Sequence, residues 1–375
     1  MDSPQRHKAD RGSRARARHL GLTIGSFSPG PLNTITDVTG VRVGHLTRIE
    51  GDAVRTGATA IHPHPGNPYD ERVPAGLAVA NGYGKLMGAT QLVELGEIET
   101  PILLTNTLAV PRAADAILDW TLAQLGNGSA RSINPIVGET NDGTLNVIER
   151  RSLSVEEMRS ALAAASGGPV EGGCVGAGTG TTAMGWKAGI GTSSRVLTSK
   201  AGTWTLGVLV QSNFPGSACI AGVPIGRLLA DPDPPSSPGD EFTEGSIMIV
   251  VATDAPLSDR NLTRLARRTF AGLARTGASF SNGSGDYALA FSTAESVRRT
   301  RNRGAEIPTT DELANDQVSP LFEAAIEATE EAIVDSLFLA TTMIGRDHTT
   351  MEALPLDRVL SILHDRAVLR GGSAT

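Results

Sequence analysis

A chain of 375 residues is long enough for one large domain or two ordinary ones. Its 40% hydrophobic and 19% charged residues supply a core and exclude general disorder, while 43 glycines against 4% aromatics predict close backbone packing and many tight turns. A net charge of −7 argues against nucleic acid or an anionic membrane as the main partner, and no stretch approaches the ~18 apolar residues of a membrane helix.

The N-terminal "MDSPQRHKADRGSRARARHLG" is rich in arginine and leads into no apolar segment of signal-peptide type, so residues 1–20 are expected to be a disordered basic tail. Short apolar runs bounded by turn residues predict strands at "TGATAIHPH", "TPILLTN", "WTLGVLVQSN", "GSIMIVVATD" and "YALAFST". Several are apolar almost throughout, the pattern of strands covered on both faces. Between and after them lie five helices. "PRAADAILDWTLAQLG" has Pro111 near its start and Gly126 past its end. "SVEEMRSALAAA" opens on a capping box of Ser154 and Glu157. "SDRNLTRLARRTFAGLARTG" carries an apolar stripe at Leu262, Leu265, Phe270 and Leu273. "SPLFEAAIEATEEAIVDSLFLA" repeats Phe322, Ile326, Ile333 and Leu337 on one face, and "LPLDRVLSILHDR" closes the series. Strands and long helices without a strict βαβ repeat predict an α+β fold with helices outside stacked sheets. The acidic, proline-rich run 231–244 interrupts what reads as a single domain over 21–375.

Several motifs fail as cofactor or metal signatures. The glycine-rich "GCVGAGTGTTAMGWKAGIG" (173–191) lacks the Gly-Lys-Ser/Thr of a phosphate loop and predicts a hairpin packed near a site. His62 and His64 stand two apart between prolines with no third ligand in view, so no metal is expected. Cys174 and Cys219 form no disulfide framework, which points to a reducing cytoplasm. No Gly-x-Ser-x-Gly elbow occurs. Three polar clusters beside core strands remain: "GETNDGTLN" (138–146), "VQSNFPG" (210–216) and "SNGSGDYALAFST" (281–293). Each by itself fits an ordinary turn.

At "TEGSIM" the loop gives way abruptly to a core strand, across Gly245 and Ser246. Cleavage of that bond would give Ser246 both a hydroxyl and a free α-amine, whose reference pKa of roughly 7.7–8.0 suits a general base. One residue would then supply nucleophile and base. Taken alone, the junction favours a plain Gly-Ser turn.

From "PLNTITDVTGVRVGH" to "GRDHTTMEALPLDRV", nearly the whole chain resembles the L-aminopeptidase/D-esterase-amidase family, which includes the β-peptidyl aminopeptidases. The most specific pieces are "GETNDGTLN", "LVQSNFPG", "GSIMIVVATDAPL", "LARTGASFSNGSGDYALAFST" and "EALPLD". The resemblance implies a layered α/β/β/α sandwich of the ornithine acetyltransferase-like N-terminal nucleophile type. It further implies self-cleavage between Gly245 and Ser246 into chains 1–245 and 246–375, and an acyl-enzyme on Ser246. By the same resemblance Asn213 stabilises the oxyanion, and Ser284 with Asp286 orients the new amine. Glu139 is the candidate for the substrate's ammonium, with a buried structural carboxylate as the alternative. Relatives carry tyrosine after "NDG" where this chain has Thr144, and loss of an oxyanion donor costs roughly 10²–10³ in rate. Expected substrates are short peptides, amides or esters with a free amino terminus; no cofactor is expected, and a homo-oligomer, a tetramer of processed pairs, is. An acyltransferase of ornithine acetyltransferase type and an unprocessed, non-catalytic relative are the alternatives.

Overall fold

A computed structural model describes residues 14–199, 201–230, 245–300 and 310–369. The proline-rich run 231–244 and residues 1–13 therefore lie outside the described residues. In chain order the strands are β1 (Arg42–Glu50), β2 (Val54–His62), β3 (Glu71–Gly82), β4 (Leu86–Met87), β5 (Glu97–Ile98), β6 (Ile102–Asn106) and β7 (Ile136–Thr140). They continue with β8 (Thr182–Ala183), β9 (Trp186–Lys187), β10 (Ile190–Ser199), β11 (Gly202–Asn213), β12 (Gly245–Thr253), β13 (Ser284–Ser292) and β14 (Arg299–Thr300). The helices are α1 (Ala89–Leu95), α2 (Val110–Leu122), α3 (Val155–Ala163), α4 (Ile225–Leu229), α5 (Asp259–Arg275), α6 (Ser319–Phe338) and α7 (Leu356–Asp365).

Two sheets organise the molecule. One runs β1-β2-β6-β7-β4; the other runs β10-β11-β12-β13-β3-β14, with β5 beside β3. Pairing is antiparallel except for β6 with β7 and β12 with β13, each parallel pair being joined through a helix. Strand β12 explains its own composition. All nine of its residues are buried, and alternation splits them between two cores. Met248, Val250 and Ala252 join Ile61, Ile102, Leu104 and Ile136 of the other sheet. Ile247, Ile249 and Val251 join Leu262, Leu265 and Leu273 of α5 and Ile333 and Leu337 of α6. A third cluster packs Ala60, Leu103 and Val137 against Ile117 of α2 and Met158 and Leu162 of α3.

Glycine sets how closely these elements approach. A Cβ on Gly191 of β10 would lie 1.8 Å from the Ala332 carbonyl oxygen of α6, so only glycine fits there. Helix α3 begins as its sequence predicts: Ser154 Oγ accepts from the Glu157 amide, and Glu157 accepts from the Ser154 amide at 2.7 Å. No helix among the described residues is long and apolar enough to cross a membrane.

Two expectations need correction. The basic tail does not extend to residue 20, because residues 14–20 are built into the fold. Ala17 is fully buried, its amide donates to Asp335 Oδ1 at 2.8 Å, and Arg18 Nε donates to Glu331 Oε1 at 2.8 Å. The reason lies in α6, whose apolar surface is not a single stripe. Phe322 and Ile326 are only half-buried, whereas Glu327, Glu331 and Asp335 are buried. Buried carboxylates require cationic or hydrogen-bonding partners. Arg195, fully buried on β10, meets Glu331 at 2.7 Å and Glu327 at 3.3 Å, and Arg18 completes the group.

Candidate active site

The register of the larger sheet brings the Gly245–Ser246 junction together with two of the three polar clusters singled out in the sequence, 210–216 and 281–293. Ser246, the second residue of β12, pairs with Asn213 at the end of β11 on one side and with Gly285 of β13 on the other. Ser246 and Asn213 are each 6% exposed, so both are sheltered yet reach solvent. Ser246 Oγ donates to the Gly245 carbonyl oxygen at 2.5 Å and accepts from the Gly285 amide at 3.3 Å. The hydroxyl thus rests against the carbonyl of the residue before it. Gly245 itself has no room for a side chain, since a Cβ would meet Pro215 Cδ at 2.3 Å.

Ser284 and Asp286 flank Ser246 along β13, opposite Gly245 and Ile247 respectively. Strand alternation turns both away from the face that carries the Ser246 side chain. Ser284 Oγ donates to Asp286 Oδ1 at 2.6 Å, while Asp286 Oδ2 is buried without a hydrogen-bond partner. Burial raises the Asp286 carboxyl above its ordinary proton affinity, partly offset by the Ser284 hydroxyl.

Asn213 has its amide fixed. Its Oδ1 accepts from the Thr182 amide at 3.0 Å, which leaves Nδ2 as the donor free for the site. A cavity of about 360 Å³ adjoins it, lined by Asn141, Gly143, Thr144, Ile148, Thr182, Asn213 and Arg346. Thr144 is therefore placed in the same cavity as Asn213, and it is exposed. Ser246 is not part of that lining; it meets the cavity through its strand partner Asn213.

Glu139, on β7 of the smaller sheet, is brought close by a turn that crosses between the sheets. Its Oε1 accepts from the Lys85 amide at 2.8 Å, and its Oε2 accepts from the Thr107 hydroxyl. Burial raises its proton affinity, opposed by those two donors. Gly84 is the spacer. A Cβ there would stand 3.2 Å from both Glu139 Oε1 and Gly285 Cα, and a Cβ on Gly285 would be 2.6 Å from Gly84 Cα and 3.2 Å from Ser246 Oγ. Tyr287 Oη donates to the Gly84 carbonyl at 2.8 Å and holds that turn down.

Elsewhere, His62 and His64 are engaged by backbone carbonyls, at Leu162 (3.1 Å) and Glu71 (2.8 Å). Among the described residues no group of three or more His, Cys, Asp or Glu side chains is arranged to hold a metal. Cys174 and Cys219 are both free thiols. The sequence reading missed Asn141, Ile148, Thr182 and Arg346 as lining residues. Thr182 lies in the glycine-rich hairpin, formed here by β8 and β9, and Arg346 in the "GRDHTT" motif, so both carried a signal; Ile148 carried none.

The model of peptidase family S58 matches residues 33–351. A β-peptidyl aminopeptidase BapA of Sphingosinicella microcystinivorans is 38% identical over 368 residues, covering 93% of this chain and 91% of the relative. A second BapA, from Sphingosinicella xenopeptidilytica, is 38% identical over 376 residues, with coverage of 94% and 91%. Among solved structures, the PH0078 protein of Pyrococcus horikoshii OT3 is 44% identical with a TM-score of 0.87, covering 94% of this chain and 99% of that one. The L-aminopeptidase D-Ala-esterase/amidase of Ochrobactrum anthropi, described as a prototype serine aminopeptidase and a variant of the Ntn hydrolase fold, is 35% identical with a TM-score of 0.87 and coverage of 95% and 99%.

Proposed function

The chain belongs to peptidase family S58, and on that premise we propose how this N-terminal-nucleophile aminopeptidase/amidase performs its reaction. It first cuts itself between Gly245 and Ser246. Ser246 Oγ attacks the Gly245 carbonyl carbon, the peptide nitrogen departs as the Ser246 amine, and water hydrolyses the resulting ester. The products are a carboxylate on Gly245 and a free amine on Ser246. The observation that carries this proposal is the 2.5 Å contact between Ser246 Oγ and the Gly245 carbonyl oxygen, held between Asn213 and Gly285 in a rigid central strand.

In turnover the Ser246 amine takes the proton from its own hydroxyl as Oγ attacks the substrate carbonyl. Asn213 Nδ2 donates to the developing oxyanion. The amine then passes the proton to the leaving amine, and water releases the acyl group. Ser284 and Asp286 orient the Ser246 amine, the unsatisfied Asp286 Oδ2 being the acceptor that a new ammonium would meet. Glu139 receives the substrate's ammonium; two donors occupy it already, and a carboxylate offers about four acceptor positions. Substrates are accordingly short peptides, amides or esters with a free amino terminus. Thr144 lines that cavity with a short side chain, at the position where the resemblance implies a tyrosine.

We further propose that the three apolar clusters describe an α/β/β/α layering, with Ser246 at the edge of the inter-sheet core. The described residues, from Arg14 onward, then belong to one catalytic domain. The two free thiols support a cytoplasmic setting, and the exposed apolar side chains of Met87, Val93 and Leu95 support a homo-oligomer.

Mass spectrometry of the purified protein tests the scheme. Two polypeptides, 1–245 and 246–375, are expected from the wild type, with one intact chain and no aminoacyl-anilide hydrolysis from Ser246→Ala. A wild-type chain that stays intact on long incubation while hydrolysing substrate refutes it.

A further inference from the structure

The reaction above leaves unexplained a lysine in the glycine-rich hairpin. Lys187 is fully buried, and its Nζ donates to three backbone carbonyls: Gly178 at 3.2 Å, Thr181 at 2.9 Å and Ala188 at 2.5 Å. Three acceptors match the three hydrogens of an ammonium; a neutral amine would leave one carbonyl facing a lone pair. Burial lowers the proton affinity of Lys187, opposed by the neighbouring Cys174 thiol and Asp142 carboxylate. A buried cation whose three hydrogens all go to backbone carbonyls is a costly arrangement for tying down a turn.

Its direction supplies the reason. The Thr181 carbonyl and the Thr182 amide belong to the same peptide group. Lys187 donates to that carbonyl, and the Thr182 amide donates to Asn213 Oδ1 at 3.0 Å. An unbroken chain therefore runs from the ammonium through one peptide group into the Asn213 side-chain amide. In such a chain each hydrogen bond polarises the next. A cation at one end strengthens the donor at the other, which is Asn213 Nδ2.

We propose that Lys187 is a positioning residue for the oxyanion donor: it fixes the 181–182 peptide and, through it, both aims and polarises the Asn213 amide. The inference rests on the assignment of Asn213 as oxyanion donor, and the experiment separates the two. Lys187→Met, Asn213→Ala and the double variant are compared in kcat and KM, after mass spectrometry has given the cleaved fraction of each. Lys187→Met is expected to lower kcat about 3- to 10-fold with KM changed less than about twofold. Added to Asn213→Ala, it should slow the enzyme by no more than about twofold, because the donor through which it acts is already gone.

A Lys187→Met enzyme with wild-type kcat, or one whose loss multiplies fully with that of Asn213→Ala, overturns the proposal. A wild-type kcat in Asn213→Ala alone overturns the Asn213 assignment, and the Lys187 proposal with it. Should Lys187→Met fail to fold, Lys187→Gln, which keeps donors but no charge, replaces it in the cycle. Selective ¹⁵N-asparagine labelling of the wild type gives a reading that needs no variant. The Asn213 side-chain nitrogen is expected downfield of the other asparagines, and a resonance inside their envelope overturns the polarisation.

Discussion

Replacement of Asn213 separates two functions of one side chain. Its Nδ2 is the proposed oxyanion donor, while its Oδ1 satisfies the Thr182 amide at 3.0 Å. Asn213→Ala removes both. Loss of the donor should cost about 10²–10³ in kcat, or ~2.7–4 kcal/mol of transition-state stabilisation. Loss of the acceptor leaves the Thr182 amide without its partner beside a side chain only 6% exposed, which should cost about 1–3 kcal/mol of stability. Asn213→Asp keeps an oxygen for Thr182 and sets a negative charge where the donor was. It should therefore hold its melting temperature closer to the wild type while losing at least as much kcat as the alanine variant. The assay is steady-state hydrolysis of an aminoacyl-anilide, with kcat normalised to the cleaved fraction because Asn213 is also the strand partner of Ser246 beside the proposed cleavage point. A kcat within about threefold of wild type in either variant, once normalised, would refute the assignment.

Asp286→Asn removes the carboxylate proposed to stabilise the Ser246 ammonium, so the amine should lose its proton more readily. The acid limb of the kcat/KM–pH profile should then move to lower pH, by about one unit, and an unmoved limb argues against the contact. Gly285→Ala would put a Cβ 2.6 Å from Gly84 Cα and 3.2 Å from Ser246 Oγ; self-cleavage, followed by mass spectrometry, should slow at least tenfold (an order-of-magnitude figure from the cost of misplacing a reacting group). Burial raises the Asp335 carboxyl from 3.8 to about 7, with like charge from Glu331 adding to it. The folded state thus binds the extra proton, and this contribution to stability is full below about pH 4 and lost as pH rises through about 7. Asp335→Asn keeps an acceptor for the Ala17 amide, so its melting temperature should fall less than that of the wild type between pH 4 and pH 7. An identical slope in the two proteins would count against the sign.

Local physics made some of this molecule legible in its sequence. The capping box of Ser154 and Glu157 is a contact between near neighbours, and it forms as written. The apolar run after Gly245 is a strand covered on both faces, and its all-buried pattern is what that composition requires. The polar clusters around Asn213, Ser246 and Ser284 converge because each sits at the same end of one of three adjacent strands. What stayed hidden depends on long-range partners. Arg195 and Glu331 are 136 residues apart, and nothing beside either marks it as buried. Helix α6 therefore looked amphipathic, although its carboxylates face inward to Arg195 and Arg18. Thr182 was quoted within a hairpin, but its link to Asn213 spans 31 residues and appears only once β8 is placed beside β11. Lys187 carries no mark of burial in the sequence either; its partners Gly178, Thr181 and Ala188 are near in the chain and meet its Nζ only when the hairpin closes.

The order of the larger sheet bears on what the proposed self-cleavage would leave behind. Strands β12 and β13 come from the segment after Ser246, and they stand between β11 and β3, which come from the segment before it. The later piece is thus a wedge between two parts of the earlier one, and without it β11 and β3 would each present a bare strand edge. Folding of the uncut chain inserts the wedge in a single intramolecular event. Once cut, the same assembly becomes a meeting of two separate polypeptides, each with exposed apolar strands while it waits. Heat or denaturant should therefore inactivate the mature enzyme irreversibly, even where the uncleaved Ser246→Ala chain recovers its fold on cooling. The enzyme would owe its persistence to slow unfolding rather than to any capacity for renewal.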